Sequence, residues 1–218
     1  YDRVLRFEER DKLMKILYYV YLLDVYMAVA NVAKERGFVF AKAHPNDKNM
    51  LVMKGMFHPF LTKPVGNTIA VDENSNVIFL TGANMAGKST FMKTFGITVF
   101  LAHVGFPVPA KEMEFSVQNG MFTTINLPDN LSMGYSHFYA EVLRVKKVAQ
   151  QVRQTQHLIV VFDELFRGTN VKDAFDATLA VTEAIAEGKN CAFMVSTHII
   201  EVGQELGKRC DNVTFEYL

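Results

Sequence analysis

The chain has 218 residues, half of them hydrophobic, with 23 basic and 23 acidic side chains and no net formal charge. That composition supports a sizeable core and excludes a disordered chain. It also excludes the broad basic surface of a domain that grips nucleic acid by itself, so any DNA contact must be local or lie on other parts of a longer protein.

Two cysteines, Cys191 and Cys210, stand in apolar surroundings without CxxC pairing and read as reduced core thiols. No signal peptide and no apolar run of bilayer length is expected, which places the chain in the cytoplasm without a membrane partner. It opens on Tyr1 within a helical stretch and reads as a fragment cut from a longer protein.

From about Phe7 to Arg36 there is neither Pro nor Gly, and Gly37 is a natural stop. The pattern predicts a helix about 43 Å long at 1.5 Å per residue. Its middle, from Ile16 to Met27, is apolar on nearly every side, whereas its first turns are charged. Two readings stay open: a core helix with a solvated start, or a lever leading to a neighbouring body. A loop-rich stretch follows, then short strand-like pieces at 51–54 and 68–71, a turn at 72–76 and a buried strand at 77–80. A helix is predicted over 89–103, a strand over 121–125 and a helix over 138–152. Strands at 158–162, 192–196 and 213–215 and a helix at 173–186 complete the pattern. Strands alternating with helices imply parallel pairing in an α/β layered domain.

The segment Gly82-Ala83-Asn84-Met85-Ala86-Gly87-Lys88-Ser89 fits G-x-x-x-x-G-K-[ST], with a buried strand before it and a helix after it. Glycines let such a loop turn its N–H groups onto phosphate oxygens, and the helix N-terminus adds its positive end. Lys88 is expected to reach the β- and γ-phosphates of ATP, and Ser89 to ligate Mg²⁺. A second strand ends in Asp163 and Glu164, at the sheet edge where α/β ligands bind. Asp163 is expected in the Mg²⁺ shell and Glu164 to polarise the attacking water. A third strand ends in Ser196-Thr197-His198, where His198 is placed to sense the γ-phosphate.

These residues resemble one family. The run from Thr81 to Thr90 is similar to the TGPNMGGKST loop of the MutS DNA mismatch-repair family. The run from Asp163 to Asn170 resembles its DEIGRGTS, Phe57-His58-Pro59 its RHP, and Ser196-Thr197-His198 its ATH. The run from Leu131 to Glu141 is similar to its signature loop. The blocks fall in family order over nearly the whole chain. The resemblance implies a P-loop NTPase of ABC type over residues 41–218, a layered sheet flanked by helices. Residues 1–40 would be the end of a preceding helical lever region.

It further implies ATP and Mg²⁺ as cofactors, nucleotide contacts from residues 82–90, and ATP hydrolysis coupled to clamp movement on DNA. Ser136 would reach the nucleotide of a second MutS-like subunit, so that each site is composite. A MutL-type repair partner and DNA bound mostly through other regions complete the implied set. Departures are Ala83 for proline, Ala86 and Phe166 for glycine, Asn170 for serine, and Met133 and Tyr135 within the signature loop. They suggest a divergent branch, and an alternative is a MutS-related protein acting on other DNA structures. A third reading is a nucleotide-gated assembly module with little turnover.

Overall fold

The computed structural model describes residues 3, 6–7, 9–46, 48–83, 86–125 and 137–218. Helix α1 (Arg10–Arg36) leads into strands β1 (Lys42–His44), β2 (Leu51–Met56), β3 (Asn67–Val71) and β4 (Val77–Thr81). Helix α2 (Lys88–His103), β5 (Glu112–Ser116), β6 (Gly120–Thr123), α3 (His137–Gln154) and β7 (Leu158–Phe162) follow. The chain continues through α4 (Val171–Ala186), β8 (Ala192–Ser196), α5 (Ile200–Arg209) and β9 (Val213–Tyr217).

The larger sheet has the order β6-β7-β8-β4-β9 and is parallel throughout. Its central strands are buried on both faces, as parallel strands under helices must be. Side chains alternate between faces along a strand, and here they divide into two cores. Ile78, Leu80, Ile159, Val161 and Met194 join Phe91, Met92, Phe95 and Val99 of α2 on one face. Val77, Phe79, Val160, Phe162 and Phe193 join residues of α3, α4 and α5 on the other. Helix α2 is buried along much of its length because the smaller sheet covers it from outside. Its buried hydroxyls are satisfied locally, Thr94 and Thr98 each donating to the carbonyl four residues earlier at 2.7 Å.

The smaller sheet, β1-β5-β2-β3, corrects the all-parallel expectation: β2 runs antiparallel to both β3 and β5. The strand-like pieces at 51–54 and 68–71 are its β2 and β3, whereas β1 and β5 are not visible in the sequence and pair across about seventy residues, Ala43 opposite Phe115. Helix α5 was also missed, since Gly203 and Gly207 weaken its helical pattern. Gly203 has a packing reason, because a Cβ there would press on the Phe79 ring at 3.3 Å.

Helix α1 ends as anticipated, with Gly37 in the left-handed region (φ 70°) donating to the Ala33 carbonyl. It buries none of its residues, however, so the core-helix reading fails within the described residues. The expectation of no bilayer-length apolar run also needs correction. Eighteen residues of α1 average a hydropathy of 1.5, enough for a span by length and composition alone. The cause is a central stretch in which Asp24 is the sole charge between Lys15 and Lys34. Cys191 and Cys210 are free thiols, and burial raises the pKa of each, as expected of core cysteines.

The predicted turn at 72–76 forms, with Asp72 Oδ1 accepting the N–H groups of Asn74 (2.8 Å) and Ser75 (2.9 Å). Asn76 does more than end it. Fully buried, it donates to the carbonyls of Gly188 (3.1 Å) and Cys191 (3.3 Å) and accepts from Asn212 Nδ2 (2.7 Å). Asn76→Ala would remove these bonds at the base of three strands, leaving the Cys191 carbonyl only Asn49 as a side-chain donor and Asn212 Nδ2 only the Ala186 carbonyl. It should cost about 2–3 kcal/mol in urea-induced unfolding, whereas a change under about 0.5 kcal/mol would mean that water replaces the amide.

Candidate functional site

Because β4, β7 and β8 are parallel, their C-terminal ends meet at one edge of the sheet, where α/β domains bind ligands. Strand β8 lies between the other two. Leu80 of β4 is opposite Ser196, and Phe162 of β7 is opposite Val195, so one further step brings Asp163 level with Ser196. The register therefore converges the glycine loop, the two acids and the Ser196-Thr197-His198 segment.

The loop leaves β4 through Gly82, whose φ of 144° suits glycine. A Cβ at this position would also collide with the carbonyl oxygen of Leu218, next to β9. Ala83 and Ala86 are exposed, and the Ala86 N–H donates to the Ala83 carbonyl at 3.2 Å. Gly87, at φ 101°, caps α2 without any side-chain hydrogen bond. The first amides of α2 thus meet no side-chain cap, an arrangement suited to an anion. The expectations for Asn84, Met85 and Ser136 concern residues outside those described.

Lys88 is 5% exposed, and its ammonium donates to the carbonyls of Gly82 (2.7 Å) and Ala83 (3.1 Å). A buried cation is thereby fixed against the loop it follows. Ser89, one residue on, donates from Oγ to Asp163 Oδ2 at 2.9 Å, tying the start of α2 to the end of β7. Thr90 is exposed on the same first turn. Among the described residues, no group of three or more His, Cys, Asp or Glu side chains is arranged to hold a metal ion. The Ser89 hydroxyl and the Asp163 carboxylate are hard oxygen donors held side by side at the start of α2.

Glu164 follows with φ 49°, in the left-handed region that non-glycine residues rarely adopt. Its carboxylate is 3.4 Å from the guanidinium of the exposed Arg167, a contact of small energetic weight. Phe166 is left-handed as well (φ 61°), with its ring 3% exposed and packed on Phe138 at 5.6 Å between centroids. A backbone suited to glycine is thus kept with an aromatic side chain on it. His198 stands exposed beyond β8, on a turn where Thr197 Oγ1 accepts the Ile199 N–H at 3.1 Å. The linear motif assigns Ser196 no role of its own, although its hydroxyl touches the Asp163 carboxylate and the Glu164 N–H. Nothing in a linear motif reveals that contact, since it depends on which strand lies beside which.

Strand, glycine loop and helix, with two acids and two hydroxyls at the same edge, define a layered α/β domain with a polar site at the C-terminal ends of its parallel strands. The chain belongs to the MutS family, for residues 78–216 match the family model described as MutS domain V. Relatives carrying the name DNA mismatch repair protein MutS include that of Petrotoga mobilis, 30% identical over 93% of this chain and 25% of the relative. The Persephonella marina protein is 31% identical over 89% and 22%. That of Clostridium botulinum strain Okra is 32% identical over 94% and 22%. The chain thus spans about a quarter of the length of these relatives. With 93% of it aligned, most of α1 falls inside the match.

Phe166 yields a reversal of the usual glycine penalty. Phe166→Ala loses the buried ring and keeps the left-handed strain, at a cost of about 3–5 kcal/mol. Phe166→Gly loses the same ring but relieves the strain, so it should be the more stable of the two by about 1 kcal/mol. Urea denaturation of both variants checks this; alanine equal to or better than glycine would mean that the turn relaxes once the ring is gone.

Proposed function

We propose that the chain is the ATP-binding and ATP-hydrolysing domain of a MutS-type protein, coupling nucleotide state to clamp movement on DNA. The observation that carries the proposal is the 2.9 Å hydrogen bond from Ser89 to Asp163. It joins the helix behind a phosphate-binding loop to an acidic strand end, the two halves of an ATP·Mg²⁺ site. Ser89 and Asp163 would hold Mg²⁺, which when bound supplies neutralisation of charge on the phosphate oxygens.

The remaining roles follow from position. The loop and helix start over residues 82–90 contact the nucleotide, Asn84 facing it from within the loop, and the buried Lys88 ammonium turns from loop carbonyls to phosphate oxygens of higher charge. Glu164, the acid not engaged with Ser89, orients the attacking water and takes up its proton. His198 senses the γ-phosphate from the adjoining strand end. Ser136 of a second MutS-like subunit completes each site, so that hydrolysis requires closure of the pair.

The name that the relatives carry favours mismatch repair, with a MutL-type partner and DNA held mostly by regions outside residues 1–218. The departures at Phe166 and Asn170 support a divergent branch, with action on other DNA structures as the second reading. Alignment of α1 with these proteins favours a helical lever region over residues 1–40, followed by the ATPase domain of 41–218. The two free thiols fit the cytoplasm.

Two substitutions separate binding from chemistry. Glu164→Gln should lower ATP turnover at least about a hundredfold with ATP affinity retained; unchanged phosphate release in this variant would remove Glu164 from its role. Lys88→Ala should weaken ATP binding at least tenfold, about 1.4 kcal/mol, by calorimetry. An affinity equal to that of the parent protein would refute the phosphate role of the lysine.

A further inference from the structure

Ser196 is the last residue of β8 and is fully buried. Its hydroxyl is used in both directions. It donates to Asp163 Oδ1 at 2.7 Å and accepts the N–H of Glu164 at 2.9 Å. Ser89 donates to the other oxygen of the same carboxylate, Oδ2. One hydroxyl on each oxygen fixes the plane of the Asp163 carboxylate, with charge-assisted hydrogen bonds on both sides.

Glu164 has the left-handed backbone described above, a conformation that persists only where its surroundings over-determine it. The hydrogen bond from its N–H to Ser196 is one such determinant, while burial of Phe166 two residues later is another. A single buried hydroxyl therefore links the side chain of one acid to the backbone of the next. Its place follows from the sheet order, because β8 runs between the strand carrying the acids and the strand carrying the loop.

We infer that Ser196 is a positioning residue that aligns Asp163 and Glu164 as one unit and thereby sets the Mg²⁺ requirement and rate of hydrolysis, without contributing to ATP affinity. The functional half of this inference rests on the ATPase reading above; the hydrogen-bond geometry does not. Removal of the hydroxyl leaves Oδ1 without this donor and the Glu164 peptide without this acceptor, while Lys88 and the loop amides are unaltered.

The test compares the full-length protein with S196A and S196T, using MgCl₂ and ATP as probes. In S196A the Glu164 amide should exchange with deuterium about tenfold faster in the absence of nucleotide. The Mg²⁺ concentration for half-maximal turnover should rise, and kcat should fall, each about tenfold, with KM for ATP at saturating Mg²⁺ within about twofold. S196T, which keeps the hydroxyl, should move all of these back toward the parent values. A purely structural role would instead change melting temperature and KM together.

The inference is overturned if S196A leaves the Glu164 amide protected. It is equally overturned if exchange quickens while kcat and the Mg²⁺ requirement stay within twofold of the parent. S196A alone decides the matter if the threonine methyl unseats β8. Should the parent protein neither bind nor hydrolyse ATP, the ATPase reading and the functional half of the inference fall together. Glu164 exchange in S196A then still decides whether Ser196 holds the two acids in register.

Discussion

Because β8 is hydrogen-bonded to β4 on one side and β7 on the other, three segments distant in sequence reach the same level at one edge of the sheet. Leu80 opposite Ser196 and Phe162 opposite Val195 leave no freedom in this alignment. A slip by one residue would turn every side chain of β8 to the wrong face and set Phe193 and Met194 in each other's core. The register is therefore enforced by burial on both faces, and polar groups on short tethers inherit that precision. Ser89, Asp163 and Ser196 can meet within 3 Å because the apolar strands beneath them cannot move.

The turn after β7 shows how strain is accommodated at such an edge. Glu164 and Phe166 both have left-handed backbones, each costing about 1–2 kcal/mol for a residue with a Cβ. Burying a phenylalanine ring contributes about 1.5–3 kcal/mol, of the same order, and the Phe166 ring is almost fully enclosed beside Phe138. The side chain that makes the backbone unfavourable also offsets much of that cost. The contact reaches the start of α3, so the geometry of the acids and the placement of that helix are mechanically joined.

The parts of the fold legible in the sequence were those governed by local pattern. Strands β7 and β8 were placed to the residue because each is a continuous apolar run ending abruptly in polar side chains. The glycine loop, Lys88 and Ser89 were legible since their spacing itself is the signal. Of the smaller sheet, β2 and β3 were legible as short apolar pieces, but β1, β5 and the pairings that join them across the chain were not, because those pairings link distant segments. For helix α1 the pattern left two readings open, and burial decides against the core helix among the described residues. An apolar surface all round ordinarily implies burial, yet the described chain provides nothing to bury it. Ser196 escaped notice for the reason that strand order is a tertiary property: a serine at a strand end acquires its neighbours only when the sheet assembles.

The crowding at Gly82 bears on how the loop should be dissected. A side chain there presses first on the main chain of Leu218, which has no rotamer with which to yield. Its φ of 144° adds a second and independent objection. In a mutational survey, position 82 would therefore report on the integrity of the sheet, and a dead variant would be uninformative about phosphate. Ala83 and Ala86 stand in solvent. They are the positions at which the loop can be reshaped to learn about its ligand while the scaffold stays intact.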